Sequence, residues 1–221
     1  MLRKCFTLTI QLAPMLLLLL AGWGRDDWRE FFGNPARTGL IAVIVLGAGT
    51  VLLLRLDLHP LRRGTWEAGH QSVVLLMLAL ASFFLIWFLP FADRRQILTF
   101  SNQFLRYVGL GLCIVGIAVR LIALAKLGRY FSAYVTLQDD HQLVQSGIYE
   151  TIRHPLYLSL LLAGPGFALV FASFLSLPIL AMAAAFAGMR IREEDRLLES
   201  RFGAEFREYR QRVAALLPGI L

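Results

Sequence analysis

Ionisable and aromatic side chains gather in residues 141–157, immediately before a long apolar run that continues to Met189. Groups that can bind ligands or move protons therefore stand at the start of an apolar segment, a placement typical of a functional site. The alternative is an interfacial loop in which these side chains anchor the chain at the lipid headgroups. The residues by themselves leave both interpretations open. The side chains concerned are His141, Tyr149, Arg153, His154 and Tyr157.

A second charged group follows that apolar run and consists of Arg190, Glu193 and Glu194. In a helix, at about 100° per residue, Glu194 lies on the flank of Arg190 one turn earlier, whereas Glu193 points toward the polar side. The simplest interpretation is an exposed Arg–Glu helix pair that contributes only a few tenths of a kcal/mol. The alternative is that Glu194 belongs to the same site as the residues before the apolar run.

The composition indicates a membrane protein. Of the 221 residues, 57% are hydrophobic, and the mean hydropathy is +0.63, which is too apolar for a soluble domain of this size. The net charge is +7, but the cations are spread among loops between apolar runs, which favours anionic lipid over nucleic acid as their partner. Cys5 and Cys113 have no CxxC or metal-ligand spacing, and we expect no bound metal.

Four apolar segments and one longer run account for most of the chain. The final run, from Leu156 to Met189, has 34 residues and is too long for one ordinary span. Pro165 and residues 173–178 offer a break in it, because proline removes a backbone donor and clashes with the preceding turn. This predicts a helical hairpin and an all-α bundle of about six transmembrane helices. The predicted spans are Phe6–Trp23, Thr38–Leu54, Gln71–Ala92, Phe104–Ala125, 156–172 and 176–189.

The first segment begins after basic residues, as a signal peptide does, but it is long and no small-residue cleavage site follows it, so we expect a retained helix. Orientation follows from the loop cations, fifteen of which fall on one side and six on the other. The positive-inside rule then places both termini and the Arg153–His154 loop in the cytoplasm. The six cations predicted to lie in loops on the opposite side are Arg25, Arg29, Arg37, Arg94, Arg95 and Arg106.

The segment after Arg190 predicts an amphipathic cytoplasmic helix, because its large apolar residues recur at intervals of three, four and seven. Gly203 lies inside this segment and weakens the prediction of an unbroken helix. The apolar stripe consists of Ile191, Leu198, Phe202, Phe206, Tyr209 and Val213.

The motifs Gly147-Ile148-Tyr149 and Arg153-His154-Pro155-Leu156-Tyr157, followed by Arg190 and Glu193-Glu194, resemble the isoprenylcysteine carboxyl methyltransferase family of integral membrane enzymes. The related phospholipid methyltransferases share the arrangement more loosely. The resemblance covers residues 120–218. We therefore expect one membrane domain, 1–221, in which residues 1–104 form N-terminal spans without a recognisable motif and residues 105–221 form the methyltransferase core.

The resemblance implies binding of S-adenosylmethionine, with Arg190 on the side of the methyl acceptor as a catalytic and substrate-binding residue. Arg153 and Arg120 are further catalytic candidates, although Arg120 has an equally good interpretation as a residue that extends to the cytoplasmic interface. The cofactor-binding candidates are His141, Gln142, Leu143, Val144, Tyr149, His154, Pro155, Leu156, Tyr157 and Glu194.

The family activity implied is carboxyl O-methylation of an isoprenylcysteine-like or other lipophilic acceptor, which would enter from the bilayer among the membrane lipids. Two departures bear on this: Ser159 replaces a usual glycine, and Ala214-Ala215 replaces a Pro-Arg pair, which puts the acceptor in question rather than the cofactor. A soluble Rossmann-like methyltransferase is excluded, because no glycine-rich motif follows a strand. Other possible functions are phospholipid N-methylation, methylation of another small lipophile, NADPH-dependent reduction, and a non-enzymatic membrane scaffold or transporter.

Overall fold

The fold is known from a computed structural model, in which Arg25, His141 and the end of the chain beyond Leu217, all named in the sequence-based predictions, lie outside the described residues. The structure describes residues 2–24, 26–54, 66–67, 71–132, 136–137, 142–174 and 177–217.

The described residues form eight α-helices and one ribbon of two very short antiparallel strands. The prediction of an all-α architecture is therefore confirmed, apart from that ribbon. Two single turns of 3-10 helix, Gly128–Tyr130 and Gly147–Glu150, lie between the fifth and sixth helices. The elements are α1 Leu2–Trp23, α2 Trp28–Gly33, α3 Pro35–Leu53, β1 Trp66–Glu67, α4 Gln71–Arg94, α5 Gln103–Leu127, β2 Thr136–Leu137, α6 Pro155–Val170, α7 Leu177–Phe202 and α8 Ala204–Arg212.

Helices α1 and α3 to α6 follow the predicted apolar segments within a few residues, whereas α7 continues well past its predicted end at residue 189. The final apolar run divides into α6 and α7, as predicted, but Pro165 lies inside α6 without ending it, and the chain turns at residues 171–174 instead. Among the described residues, α3 and α5 are long and apolar enough to cross a membrane, with mean hydropathies of 2.0 and 2.4. Two shorter apolar helices, Ala13–Trp23 within α1 and α6, accompany them.

Helices α5 and α6 pack closely because small residues meet at their contact. A Cβ atom added to Gly109 would lie 2.6 Å from the carbonyl oxygen of Gly166, and one added to Gly116 would lie 2.9 Å from the carbonyl oxygen of Ser159. Glycine at these positions lets the two backbones approach. Ser159, which replaces a usual glycine, fits here because its hydroxyl donates to the carbonyl of Leu156 at 2.6 Å and because the facing helix presents Gly116.

At the end of the bundle where α5 begins, Arg37, Asp93 and Arg106 form a buried group that we call the far-end cluster. The carboxylate of Asp93 accepts from Arg106 at 2.6 and 2.8 Å and from Arg37 at 3.5 Å. Arg106 also donates to the carbonyl of Val170 at 2.6 Å, which joins α5 to the end of α6. The sequence-based prediction placed Arg37 and Arg106 in loops. That placement is wrong: both lie in helices and are buried, because Asp93 pairs with them.

The helix predicted to start at Arg190 is not a separate element. Helix α7 passes through Arg190 without a break and ends at Phe202, and α8 begins after Gly203. Gly203 has a positive φ of 55°, a backbone conformation that favours glycine, so the chain changes direction there. The second half of the predicted apolar stripe packs as a small core beneath α8. This core contains Phe206, Tyr209 and Val213, with Leu143, Leu198 and Phe202 against it.

Candidate active site

The loop before α6 is fixed against the end of α5. Gly147 has a φ of +65°, a backbone conformation that favours glycine, and it lies against the side chain of Lys126, whose Cε would be 2.6 Å from an added Cβ atom. The 3-10 turn that follows buries Tyr149, whose carbonyl accepts a hydrogen bond from the hydroxyl of Tyr209 at 2.7 Å. Pro155 then opens α6, a position where its missing N–H costs no helical hydrogen bond. The motif residues are thus held by α5 on one side and α8 on the other.

Residues 213–217 form a strap across this loop. Ile152 pairs with Ala214 in a parallel bridge, and the N–H groups of Arg153 and His154 donate to the carbonyls of Ala214 and Ala215, each at 2.9 Å. The Ala214-Ala215 pair, which departs from the family pattern, therefore contributes backbone carbonyls to the position of His154. Because the contact uses backbone carbonyls, it does not depend on which side chains stand at residues 214 and 215.

The side chains of Arg153 and His154 meet one carboxylate, that of Asp195. The Nε2 atom of His154 lies 2.8 Å from Oδ1 of Asp195, and Nη1 of Arg153 donates to Oδ2 at 3.3 Å. The sequence analysis did not identify Asp195. The sequence pattern carried no signal for it, because the contact of Asp195 with Arg153 and His154 depends on how α7 faces the loop before α6.

Four predicted site residues from two distant segments converge beside this carboxylate. The Nε of Arg190 donates to the hydroxyl of Tyr157 at 3.4 Å, and Oε1 of Glu194 lies 4.0 Å from Nδ1 of His154. The rings of His154 and Tyr157 meet edge to face, with centroids 5.8 Å apart. Arg190 and His154 are buried, whereas the carboxylate of Glu194 is 36% exposed and so accessible to a ligand. We call Arg153, His154, Tyr157, Arg190, Glu194 and Asp195 the site cluster.

Burial and charge set the protonation of three groups outside the apolar spans. Burial raises the pKa of Tyr149 well above its usual value, and it raises that of Tyr209 to about 12, so both phenols stay neutral hydrogen-bonding groups. Burial also raises the pKa of Asp195, but the hydrogen bond from His154 and the charge of Arg153 outweigh it and hold that pKa below its usual value. The Asp195 carboxylate is therefore ionised at neutral pH.

The other predicted site residues lie at different distances from the cluster. Arg120 is exposed on α5, with its guanidinium 6.0 Å from the ring centre of Phe131. Leu143 packs on the core beneath α8, and Gln142 beside it is exposed. Val144 and Leu156 are half-buried, and Pro155 is buried.

The site cluster presents side chains of both charges close together. The described residues contain no group of three or more His, Cys, Asp or Glu side chains that could hold a metal. Glu194 presents a partly exposed carboxylate, and Arg190 places a buried guanidinium one helical turn before it. A carboxylate and a guanidinium side by side can bind two groups of opposite charge and bring those groups together.

The fold and the cluster define a class: a helical membrane protein with a group of acidic and basic side chains at one end of its bundle. Residues 109–200 match the sequence model of the isoprenylcysteine carboxyl methyltransferase (ICMT) family. The resemblance found in the sequence motifs is thereby confirmed.

Relatives match this chain over part of their length. A protein of Oryza sativa subsp. indica, the probable protein-S-isoprenylcysteine O-methyltransferase, is 33% identical over 120 residues, which cover 53% of this chain and 63% of the relative. The cobalt-zinc-cadmium resistance protein CzcN of Cupriavidus metallidurans is 41% identical over 101 residues, which cover 44% of this chain and 45% of that protein. The chain thus spans less than two thirds of either relative.

The fold itself is that of a solved membrane enzyme. The structure of the eukaryotic intramembrane Ras methyltransferase ICMT matches with a TM-score of 0.54 and 23% identity, over 82% of this chain and 66% of that one. The fold match therefore covers a larger share of the chain than residues 120–218, which carry the sequence motifs.

Proposed function

We propose that this protein is an S-adenosylmethionine-dependent membrane methyltransferase that methylates the carboxylate of an isoprenylcysteine-like, lipophilic acceptor. The observation that carries the proposal is the convergence of Tyr157 and His154 with Arg190 and Glu194, which come from segments more than thirty residues apart. The match to the ICMT family over residues 109–200 and the name of the rice relative support it.

The chemistry asks little of the protein beyond positioning. When bound, S-adenosylmethionine supplies a methyl group that is already activated on a sulfonium, and a carboxylate acceptor needs no general base. The chain's part is to bind both partners, align them and exclude water. In this proposal Glu194 and His154 bind the methyl donor, the loop from Gln142 to Tyr149 and the start of α6 line its site, and Arg153 holds that loop in place.

Arg190 orients the acceptor. A guanidinium offers a planar fork of donors to a carboxylate, and Arg190 is buried at the end of the apolar part of α7, one turn before Glu194. A carboxylate held by this fork would lie beside the methyl-donor site. An ethanolamine acceptor would bring an amine toward the same cation, so the geometry favours O-methylation over phospholipid N-methylation.

The membrane arrangement follows the charge pattern. We infer about six spans, with both termini and the site cluster on the cytoplasmic side, because fifteen loop cations were counted on that side of the chain. The acceptor would enter laterally from the bilayer and the methyl donor from the cytosol. Arg120, exposed on α5, would then lie on the path of the acceptor or at the lipid headgroups.

The proposal is tested by replacing Arg190 with lysine, which keeps the charge but removes the fork. We expect kcat/KM for a farnesylated cysteine analogue to fall about 10 to 100 fold, or about 1.4 to 3 kcal/mol, with donor affinity nearly unchanged. The matched control is Arg192→Lys, because Arg192 is exposed on the same helix.

A wild-type protein that methylates phosphatidylethanolamine and ignores the prenylcysteine analogue would refute the carboxylate acceptor. Equal activity of the Arg190→Lys and Arg192→Lys proteins would show that Arg190 only anchors α7.

A further inference from the structure

His154 is held at both its backbone and its ring. Its N–H donates to the carbonyl of Ala215 at 2.9 Å, and its Nε2 atom lies 2.8 Å from Oδ1 of Asp195. The side chain of His154 is 2% exposed and that of Asp195 is 13% exposed. The imidazole ring of His154 therefore cannot rotate without breaking this hydrogen bond, so Asp195 fixes the orientation of the ring.

Asp195 is itself held on its second oxygen. Nη1 of Arg153 donates to Oδ2 at 3.3 Å, and the N–H of Arg153 is bound by the strap at Ala214. The carboxylate of Asp195 thus binds the side chains of two neighbouring residues, Arg153 and His154, whose backbone N–H groups are held by the strap. This arrangement sets the plane of the carboxylate and the direction from which it accepts the hydrogen bond of His154.

The hydrogen bond between His154 and Asp195 determines which nitrogen of the His154 ring faces Glu194. A carboxylate can only accept, so Nε2 of His154 carries the proton that it shares with Asp195. The other nitrogen, Nδ1, then faces Glu194, whose Oε1 lies 4.0 Å away. Asp195 and Glu194 are adjacent on α7 and point in directions about 100° apart, so a single turn of helix fixes both the ring and the acid beside it.

We propose that Asp195 is a positioning residue for the methyl-donor site: it fixes the ring of His154 through Nε2, so that Nδ1 faces Glu194. Asp195 acts through His154 and does not itself touch the donor. This inference rests on the proposed function, since it assigns the purpose of the arrangement to binding of the methyl donor. It is the same principle by which a carboxylate fixes the tautomer and orientation of a functional histidine in other enzymes.

The first measurement uses the wild-type protein without ligand. With ¹⁵N-labelled histidine, four side chains contribute to the spectrum, and His154→Gln identifies the resonance of His154. We expect Nε2 to carry a proton that exchanges slowly with water, because the bond to Asp195 is buried. An unprotonated Nε2 would overturn the proposal, and this result does not depend on any Asp195 variant folding.

The second measurement compares Asp195→Asn with Glu199→Gln, which alters an acid four residues later that binds Arg207 and Arg210 at the surface. We expect Asp195→Asn to weaken binding of S-adenosylhomocysteine about tenfold, or about 1.4 kcal/mol, and to change the Nε2 signal of His154, and Glu199→Gln to do neither. Unchanged affinity in Asp195→Asn, or a loss of affinity with an unchanged His154 signal, would contradict the proposal. If Asp195→Asn does not fold, Asp195→Glu takes its place with the same two readouts.

Failure of the proposed function gives a different result. In that case the wild-type protein does not bind S-adenosylhomocysteine at all, whereas the protonation of Nε2 still tests whether Asp195 orients His154.

Discussion

The two ends of the bundle each hold an aspartate between two basic side chains, but the surroundings differ. In the far-end cluster, Asp93 is 1% exposed and accepts hydrogen bonds from Arg37 and Arg106. In the site cluster, Asp195 binds Arg153 and His154 beside a carboxylate, that of Glu194, which is 36% exposed. The ends are about 30 Å apart along α5, from Arg106 to Lys126.

From this difference we infer that the far-end cluster is structural, and we propose that the site cluster binds a ligand. At the far end the carboxylate oxygens face guanidinium groups within the fold, and the cluster joins α3, α4, α5 and the end of α6. At the other end, Asp195 holds a loop while the neighbouring Glu194 remains accessible. Charged residues in an apolar bundle therefore do not by themselves indicate a functional site. An accessible charged side chain beside a buried ion pair does indicate one.

The largest effect is expected at the far end, from Asp93→Asn. This substitution leaves two buried guanidinium groups without their carboxylate, and we expect a loss of about 3 to 5 kcal/mol in the free energy of unfolding. Affinity of the folded protein for S-adenosylhomocysteine should be unchanged. Chemical unfolding in detergent and titration of the folded fraction measure the two quantities.

The matched control for Asp93→Asn is Asp26→Asn. Asp26 also pairs with an arginine, Arg94, at 2.7 Å, but its side chain is 78% exposed, so its loss should change stability little. If Asp93→Asn impaired ligand binding and left stability intact, the far-end cluster would be functional and the comparison between the two ends would fail.

A smaller effect is expected at the site, from Glu194→Gln. Because Glu194 faces His154 and is partly exposed, its substitution should weaken binding of S-adenosylmethionine at least tenfold, or about 1.4 kcal/mol. Glu193→Gln is the matched control on the same helix and should do much less. Calorimetric titration of both proteins decides the matter, and equal losses would show that the assignment of Glu194 to the donor is wrong.

The smallest effect is expected from Tyr209→Phe, which removes the hydrogen bond to the carbonyl of Tyr149. We expect a loss of about 1 kcal/mol in the free energy of unfolding, because one buried acceptor is left unpaired. Tyr107→Phe, at an exposed tyrosine near the other end of α5, is the control and should change nothing measurable. A larger loss of ligand affinity than of stability would instead place Tyr209 in the site.

The sequence predicts the helices well because apolar runs of this length leave few alternatives in a membrane protein. The division of the last run into α6 and α7 was predicted, whereas the continuation of α7 past Arg190 was not. Apolar and amphipathic segments were taken as separate helices there, but helical geometry passes from one to the other without a break until Gly203 supplies the positive φ.

The convergence of His154, Tyr157, Arg190 and Glu194 could be expected from the family motifs. Asp195 could not be assigned, because its role depends on which way α7 faces the loop. The burial of Arg37 and Arg106 was missed for a related reason. A hydropathy pattern ends an apolar span at a charged residue, and only the packing of α3, α4 and α5 shows that Asp93 neutralises these two arginines. Pairing between distant charges is a property of the fold.

The central claim is that the site cluster binds a methyl donor. Equilibrium titration of the detergent-solubilised wild-type protein with S-adenosylhomocysteine and, separately, with NADPH tests it most directly. We expect saturable binding of S-adenosylhomocysteine and no binding of NADPH over the same concentration range. Saturable binding of NADPH with no binding of S-adenosylhomocysteine would contradict it and would assign the fold to a reductase.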